Sequence, residues 1–122
     1  MKSNPFSKEN AYNMETDMQE TEYKPVLCIP RVRANIPKSH IWNVFEHLHM
    51  GILERIDVVH KQTERGDHYN RVFVHYRKWN DSENTRETRE RLRRGMDIKV
   101  IHDYDAGFHW KISAYRDPRL NP

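Results

Sequence analysis

The stretch from Tyr69 to Tyr76 reads Tyr-Asn-Arg-Val-Phe-Val-His-Tyr and constrains the fold more than any other part of the chain. It alternates strictly, which is the period of a β-strand. Val72, Val74 and Tyr76 fall on one face and Arg71, Phe73 and His75 on the other. The first set suits a core. The second holds a cation, an aromatic ring and an imidazole, the side-chain types of a surface on which nucleic-acid bases stack. The same pattern also describes an ordinary strand with one amphipathic, half-exposed face, so the rest of the chain has to decide.

Composition sets the bounds. A chain of 122 residues holds one modest domain and some tail. Hydrophobic residues make up 36% and the mean hydropathy is -1.04, so the core must be concentrated in part of the sequence. The net charge of +3 and a pI near 9.1 permit a polyanionic partner without requiring one. The single cysteine, Cys28, excludes an internal disulfide framework and a cysteine-rich zinc module. No apolar run approaches membrane-spanning length, and the N-terminus lacks the basic-then-apolar layout of a signal peptide. The expectation is a soluble protein of a reducing intracellular compartment, with no membrane partner.

Residues 1–24 read as a disordered acidic tail, with three lysines against five carboxylates and almost no apolar periodicity. From Val26 to Val32 the sequence becomes apolar and partly β-branched, a first strand. Its Pro30 lacks an N–H and suits an edge or a bulge, and Arg31 and Arg33 add charge at its end. Pro37 opens a helix whose Ile41, Val44, Phe45 and Leu48 form a one-sided stripe flanked by Trp42, with Gly51 as its left-handed stop. A second strand spans Leu53 to His60, with Ile56 and Val58 inward. A long charged loop carrying Lys61, Arg65 and His68 then leads into the Tyr69–Tyr76 strand.

Asp81 or Ser82 caps a second helix that runs to about Arg94 and is ended by Gly95. Its apolar content is thin, Thr85, Thr88 and Leu92. Strand-like runs follow at Ile98–Ile101 and Phe108–Tyr115, joined by a turn over Asp103–Gly107, and residues 118–122 make a short tail. The order is strand, helix, strand, strand, helix, strand, with a small extra strand before the last. Right-handed crossovers fold that order into an antiparallel sheet with both helices on one face.

Residues 25–117 make the expected domain, and over roughly Val26 to Tyr115 it resembles the RNA recognition motif (RRM) family. That family's octapeptide runs basic, Gly, aromatic, small, aromatic, aliphatic, any, aromatic. In Tyr69–Tyr76 the second aromatic position is Phe73, the aliphatic one Val74 and the last Tyr76. Arg71 stands at the first aromatic position and Asn70 at the glycine. The family's motif in the first strand aligns with Leu27-Cys28-Ile29-Pro30-Arg31-Val32, where Cys28 occupies a position usually held by an exposed ring. The resemblance implies an α+β, ferredoxin-like βαββαβ sandwich with a four-stranded antiparallel sheet, two helices on one face and the small extra strand before the last. It implies Phe73 as a base-stacking residue and Tyr76 as a core residue. More narrowly, the Ile29–Val32 start, the Asn70–Tyr76 strand closed by Lys78-Trp79, and the Trp110–Arg116 end are similar to small RRM-like proteins of large DNA viruses of algae and protists. Such a protein would act in the host cytoplasm or nucleus, or in the virion.

Other signals point elsewhere only weakly. Arg65-Gly66-Asp67 spells an integrin-type tripeptide, but a hairpin turn needs such a glycine in any case. The eight histidines, among them His40, His47 and His49, show no ligand spacing, so no metal is expected. His75 and His109 would lend an open face some pH dependence. The Arg86–Arg94 run is interleaved with Glu87 and Glu90, as in a solvated, salt-bridged helix. No phosphate-cradling glycine loop and no catalytic set is visible, and Cys28 has no sequence-adjacent histidine, so neither an enzyme nor a cofactor is expected.

The expectation is thus a nucleic-acid-binding protein for single-stranded RNA, or single-stranded DNA, with weak sequence preference. Its face would be formed by Phe73, Arg71, His75, Cys28, Arg31, Lys111 and Tyr115, with Lys61 and Arg65 from the loop. The missing rings at Cys28 and Arg71 motivate the alternative, a protein-interaction or structural module on the same fold whose open face is covered by another chain, by its own acidic tail or by a second copy.

Overall fold

The computed structural model describes residues 22–103 and 107–116. The expected leader 1–24, apart from its last three residues, the centre of the Asp103–Gly107 turn and the 118–122 tail lie outside the described residues. The elements run β1 (Leu27–Arg33), α1 (Lys38–Leu48), β2 (Gly51–Gln62), β3 (His68–Trp79), α2 (Glu83–Arg93), β4 (Ile98–Asp103) and β5 (Phe108–Ala114). This is an α+β architecture with one antiparallel sheet in the order β2-β3-β1-β5-β4. The expected four-stranded sheet is therefore five-stranded. The small extra strand, β4, pairs with β5 from Ile98 opposite Ile112 to Asp103 opposite Phe108 and extends the sheet instead of standing apart from it.

The strict alternation of β3 is realised as written. Asn70, Val72, Val74 and Tyr76 are buried, while Arg71, Phe73 and His75 point the other way and stay accessible. Val72 and Val74 join one apolar cluster with Leu27 and Ile29 of β1, Trp110 and Ile112 of β5, Ile41 and Phe45 of α1 and Leu92 of α2. Both helices therefore cover the same face of the sheet. Phe45 and Trp110 lie parallel, their ring centroids 6.4 Å apart. Among the described residues neither helix covers the opposite face.

Local sequence explains most boundaries. Ser82 caps α2, its hydroxyl accepting from the Thr85 amide at 3.3 Å, and Gly95 follows the helix with φ +87°. Pro30 lies in a bulge where the β1–β3 register shifts between Ile29 and Val32. That is how a proline is tolerated in a strand with neighbours on both sides. Gly66 takes φ +99° in the β2–β3 turn, where its N–H donates to the Thr63 carbonyl and Thr63 N–H to the Asp67 carbonyl, both at 2.9 Å. The Arg-Gly-Asp tripeptide is thus accounted for by a turn that needs a glycine.

Three expectations change. Gly51 does not stop α1: His49 does, in the left-handed conformation (φ 53°), and Gly51 begins β2. Its missing side chain is required there, because a Cβ would run into the Lys78 carbonyl oxygen and the Trp79 Cα of β3. Val58 has the register of an inward residue, opposite Val72, yet is 38% exposed, because β2 is an edge strand. Lys61 and His68 belong to no loop: β2 continues to Gln62 and β3 begins at His68, which pairs with Gln62, while Lys61 sits opposite Tyr69.

Candidate nucleic-acid interface

Opposed residues of antiparallel strands point to the same side. The register therefore builds the open face row by row. Asp57 of β2, Phe73 of β3, Cys28 of β1 and Ser113 of β5 form one row across the sheet. Phe73 lies within it, between Asp57 and Cys28. The Tyr115 ring, placed just beyond β5 by a 2.7 Å bond from its N–H to the Val26 carbonyl, meets Phe73 edge to face at 4.9 Å. This is a favourable arrangement of two ring quadrupoles, and it leaves both rings partly accessible.

Cations flank these rings. The Arg71 guanidinium is 5.8 Å from the Phe73 ring centre and Arg31 is 4.5 Å from the Tyr69 centre. Arg71 is held as a cation even more firmly than usual, chiefly by its position beside the Cys28 side chain, with smaller contributions from Tyr115 and Tyr69. Two shallow depressions lie on either side of the Phe73–Tyr115 pair. One is lined by Cys28, Arg71, Ser113 and Arg116, the other by Val26, Asp57 and His75. The first offers positive charge and a hydroxyl, the second an imidazole and a carboxylate.

His75 is not a free imidazole. Its Nε2–H donates to Asp57 Oδ2 at 2.9 Å, and Arg55 Nε–H donates to the same oxygen at 3.1 Å. Partial desolvation raises the Asp57 carboxyl, but the hydrogen bonds and charges of Arg55 and His75 outweigh it, and the net effect holds Asp57 below the usual carboxylate range. Asp57 is thus an anion on the face that also carries Arg71 and Arg31.

The remaining expected site residues are distributed as follows. Cys28 is buried, on the floor of the first depression, and offers no stacking surface. Lys111 is exposed, with its Nζ 3.2 Å from Asp97 Oδ2. Arg65 is exposed in the turn beyond the end of the platform, and Lys61 stands beside Tyr69 at the edge. The expected set omitted Tyr69 and Asp57. Tyr69 carries the same odd parity as Arg71 and Phe73, so extending the alternation by one step would have found it. Asp57 was beyond reach, since its place beside His75 depends on the β2–β3 register.

Asn70 is buried on the helix side, where His60 Nδ1–H donates to its Oδ1 at 3.1 Å and His60 Nε2 accepts from His68 Nδ1–H at 2.9 Å. The Arg86–Arg94 run lies behind the sheet, as expected: Arg89 rests over the Trp79 ring at 5.5 Å and donates from Nε to the Lys24 carbonyl at 2.8 Å. Among the described residues no three His, Cys, Asp or Glu side chains are grouped to hold a metal ion, and no helix is long and apolar enough to cross a membrane.

Comparison with protein-family models, with curated proteins and with solved structures finds no match.

Proposed function

We propose that the chain is an RRM-like nucleic-acid-binding protein of ferredoxin-like type that takes single-stranded RNA on the open face of its sheet with weak sequence preference. The observation that carries this reading is the edge-to-face pair of Phe73 and Tyr115 with Arg71 beside it and Arg31 over Tyr69 further along the same face. Rings accept any base by stacking, and guanidinium groups take phosphate oxygens or stack on bases themselves. Weak preference follows because the first-strand ring position is the buried Cys28 and the first octapeptide ring position is Arg71. Two rings beside each other hold fewer bases in fixed orientation than a full set.

The test is fluorescence anisotropy of a labelled mixed-sequence RNA at two salt concentrations, for the full chain and for Phe73→Ala. Binding that weakens with salt and is blunted by the substitution supports the reading. No binding at low salt overturns it and favours a protein-covered face.

A further inference from the structure

Among the described residues β2 is one edge of the sheet. From Arg55 opposite His75 to Gln62 opposite His68 it pairs with β3 without a register shift, so its outer edge is regular over that whole stretch. Neighbouring Val58 and Val59 are 38% and 41% exposed there. Edge strands ordinarily discourage a neighbour with proline, bulges or charges that repel a second strand. This stretch has no proline and no bulge, and its charges alternate in sign along one face: Arg55, Asp57, then Lys61.

We propose that β2 is a self-association edge, along which two copies of this chain pair their β2 strands antiparallel about a two-fold axis at Val59. In that register Val59 meets Val59 of the second copy, and Asp57 meets the second copy's Lys61. By symmetry the second charge pair repeats the first. Both hydrogen bonds that Asp57 accepts go to Oδ2, which leaves Oδ1 to accept from the incoming ammonium. Lys61 makes no ion pair among the described residues.

The neighbouring registers are poorer. An axis at Val58 sets Arg55 against Lys61 of the second copy. One at Asp57 opposes two carboxylates, and one at His60 opposes two imidazoles. An axis at Ile56 would run the new ladder into the irregularity between Leu53 and Arg55. The favoured register places both open faces on the same side, so the two sheets become one continuous surface. The proposal rests on the geometry of the edge and is independent of what the face binds.

The test is the mass of the full chain in solution across a concentration series, by sedimentation equilibrium. The expected result is a reversible dimer. Lys61→Asp and Asp57→Lys each turn two attractive pairs into two repulsive ones and should each weaken it about tenfold or more. Mixing the two variants should restore association as a heterodimer, since every opposed pair is then of opposite sign. A monomer throughout the series, or variants that dimerise as the wild type does, overturns the proposal, as does a mixture of two folded variants that fails to associate. Amide hydrogen exchange on the wild type gives a readout that needs no variant. Exchange over Arg55–Gln62 should slow as concentration rises, and an unchanged rate overturns the proposal.

Discussion

The Phe73 and Tyr115 rings meet edge to face with centroids 4.9 Å apart, on the side of the sheet opposite α1 and α2. Each ring limits the motion of the other, so neither need be ordered by a ligand from scratch, and part of the entropy of forming a stacking surface is met by the fold. Replacing either ring with alanine should weaken single-stranded RNA binding by about 1–3 kcal/mol. Because the rings touch, the double variant should lose less than the sum of the two single losses. Anisotropy titrations of the single and double variants check this, and additive losses would mean that the rings act separately.

A second expectation concerns acid. His102 stacks on Trp110 at 4.1 Å, and its proton affinity is lowered, first by desolvation and then by His40, Arg33 and His109, with Asp103 opposing. A histidine whose folded pKa lies below its unfolded value takes up protons more readily when unfolded. Its contribution to stability is therefore full above the unfolded pKa, near 6.5, and is lost as pH falls from there through the folded pKa. Chemical denaturation at several pH values should show stability declining over that window. His102→Gln should flatten the decline, and an unaltered slope would assign the acid sensitivity to other groups.

Gly51 offers a test of close packing between β2 and β3. A Cβ at this position meets backbone atoms of Lys78 and Trp79, which cannot swing aside as a side-chain tip can. Gly51→Ala should destabilise by about 1–3 kcal/mol or more, as overpacking does. Gly95→Ala is the contrasting case: nothing lies within 4 Å of its Cβ position, and only its φ of +87° is at stake. Thermal melts of the two variants should rank Gly51→Ala as the more damaging.

Tyr76 carries a less intuitive expectation. It is among the largest fully buried side chains, burial pushes its phenol well above the usual value, and its hydroxyl has no hydrogen-bond partner among the described residues. Removing a buried, unsatisfied hydroxyl removes a desolvation cost and no hydrogen bond. Tyr76→Phe should leave stability unchanged or raise it, in contrast to the loss of about 3–5 kcal/mol expected for Phe45→Ala in the same core. A clear loss for Tyr76→Phe in denaturant titration would show that the hydroxyl has a partner in solution.

What could be read in the sequence was local. The alternation of Val72, Val74 and Tyr76 against Arg71, Phe73 and His75 is a property of the strand itself and survives folding intact. The Pro30 bulge and the Ser82 cap follow in the same way from backbone chemistry, a missing N–H and a hydroxyl one turn from an unsatisfied amide. What only the tertiary structure decided was register and neighbourhood. Gly51 looked like a helix stop because glycine accepts positive φ, yet its role is set by a strand that the chain reaches only after the β2–β3 turn. Lys61 and Val58 depend on how far β2 extends and on its lying at an edge. Asp57 reaches His75, and Phe73 reaches Tyr115, only because pairings between separate strands bring them together. Periodicity fixes which face a side chain takes, since that needs only the backbone period. Which side chains share that face is set by long-range pairing, whose energy is spread over the whole sheet and written in no single segment.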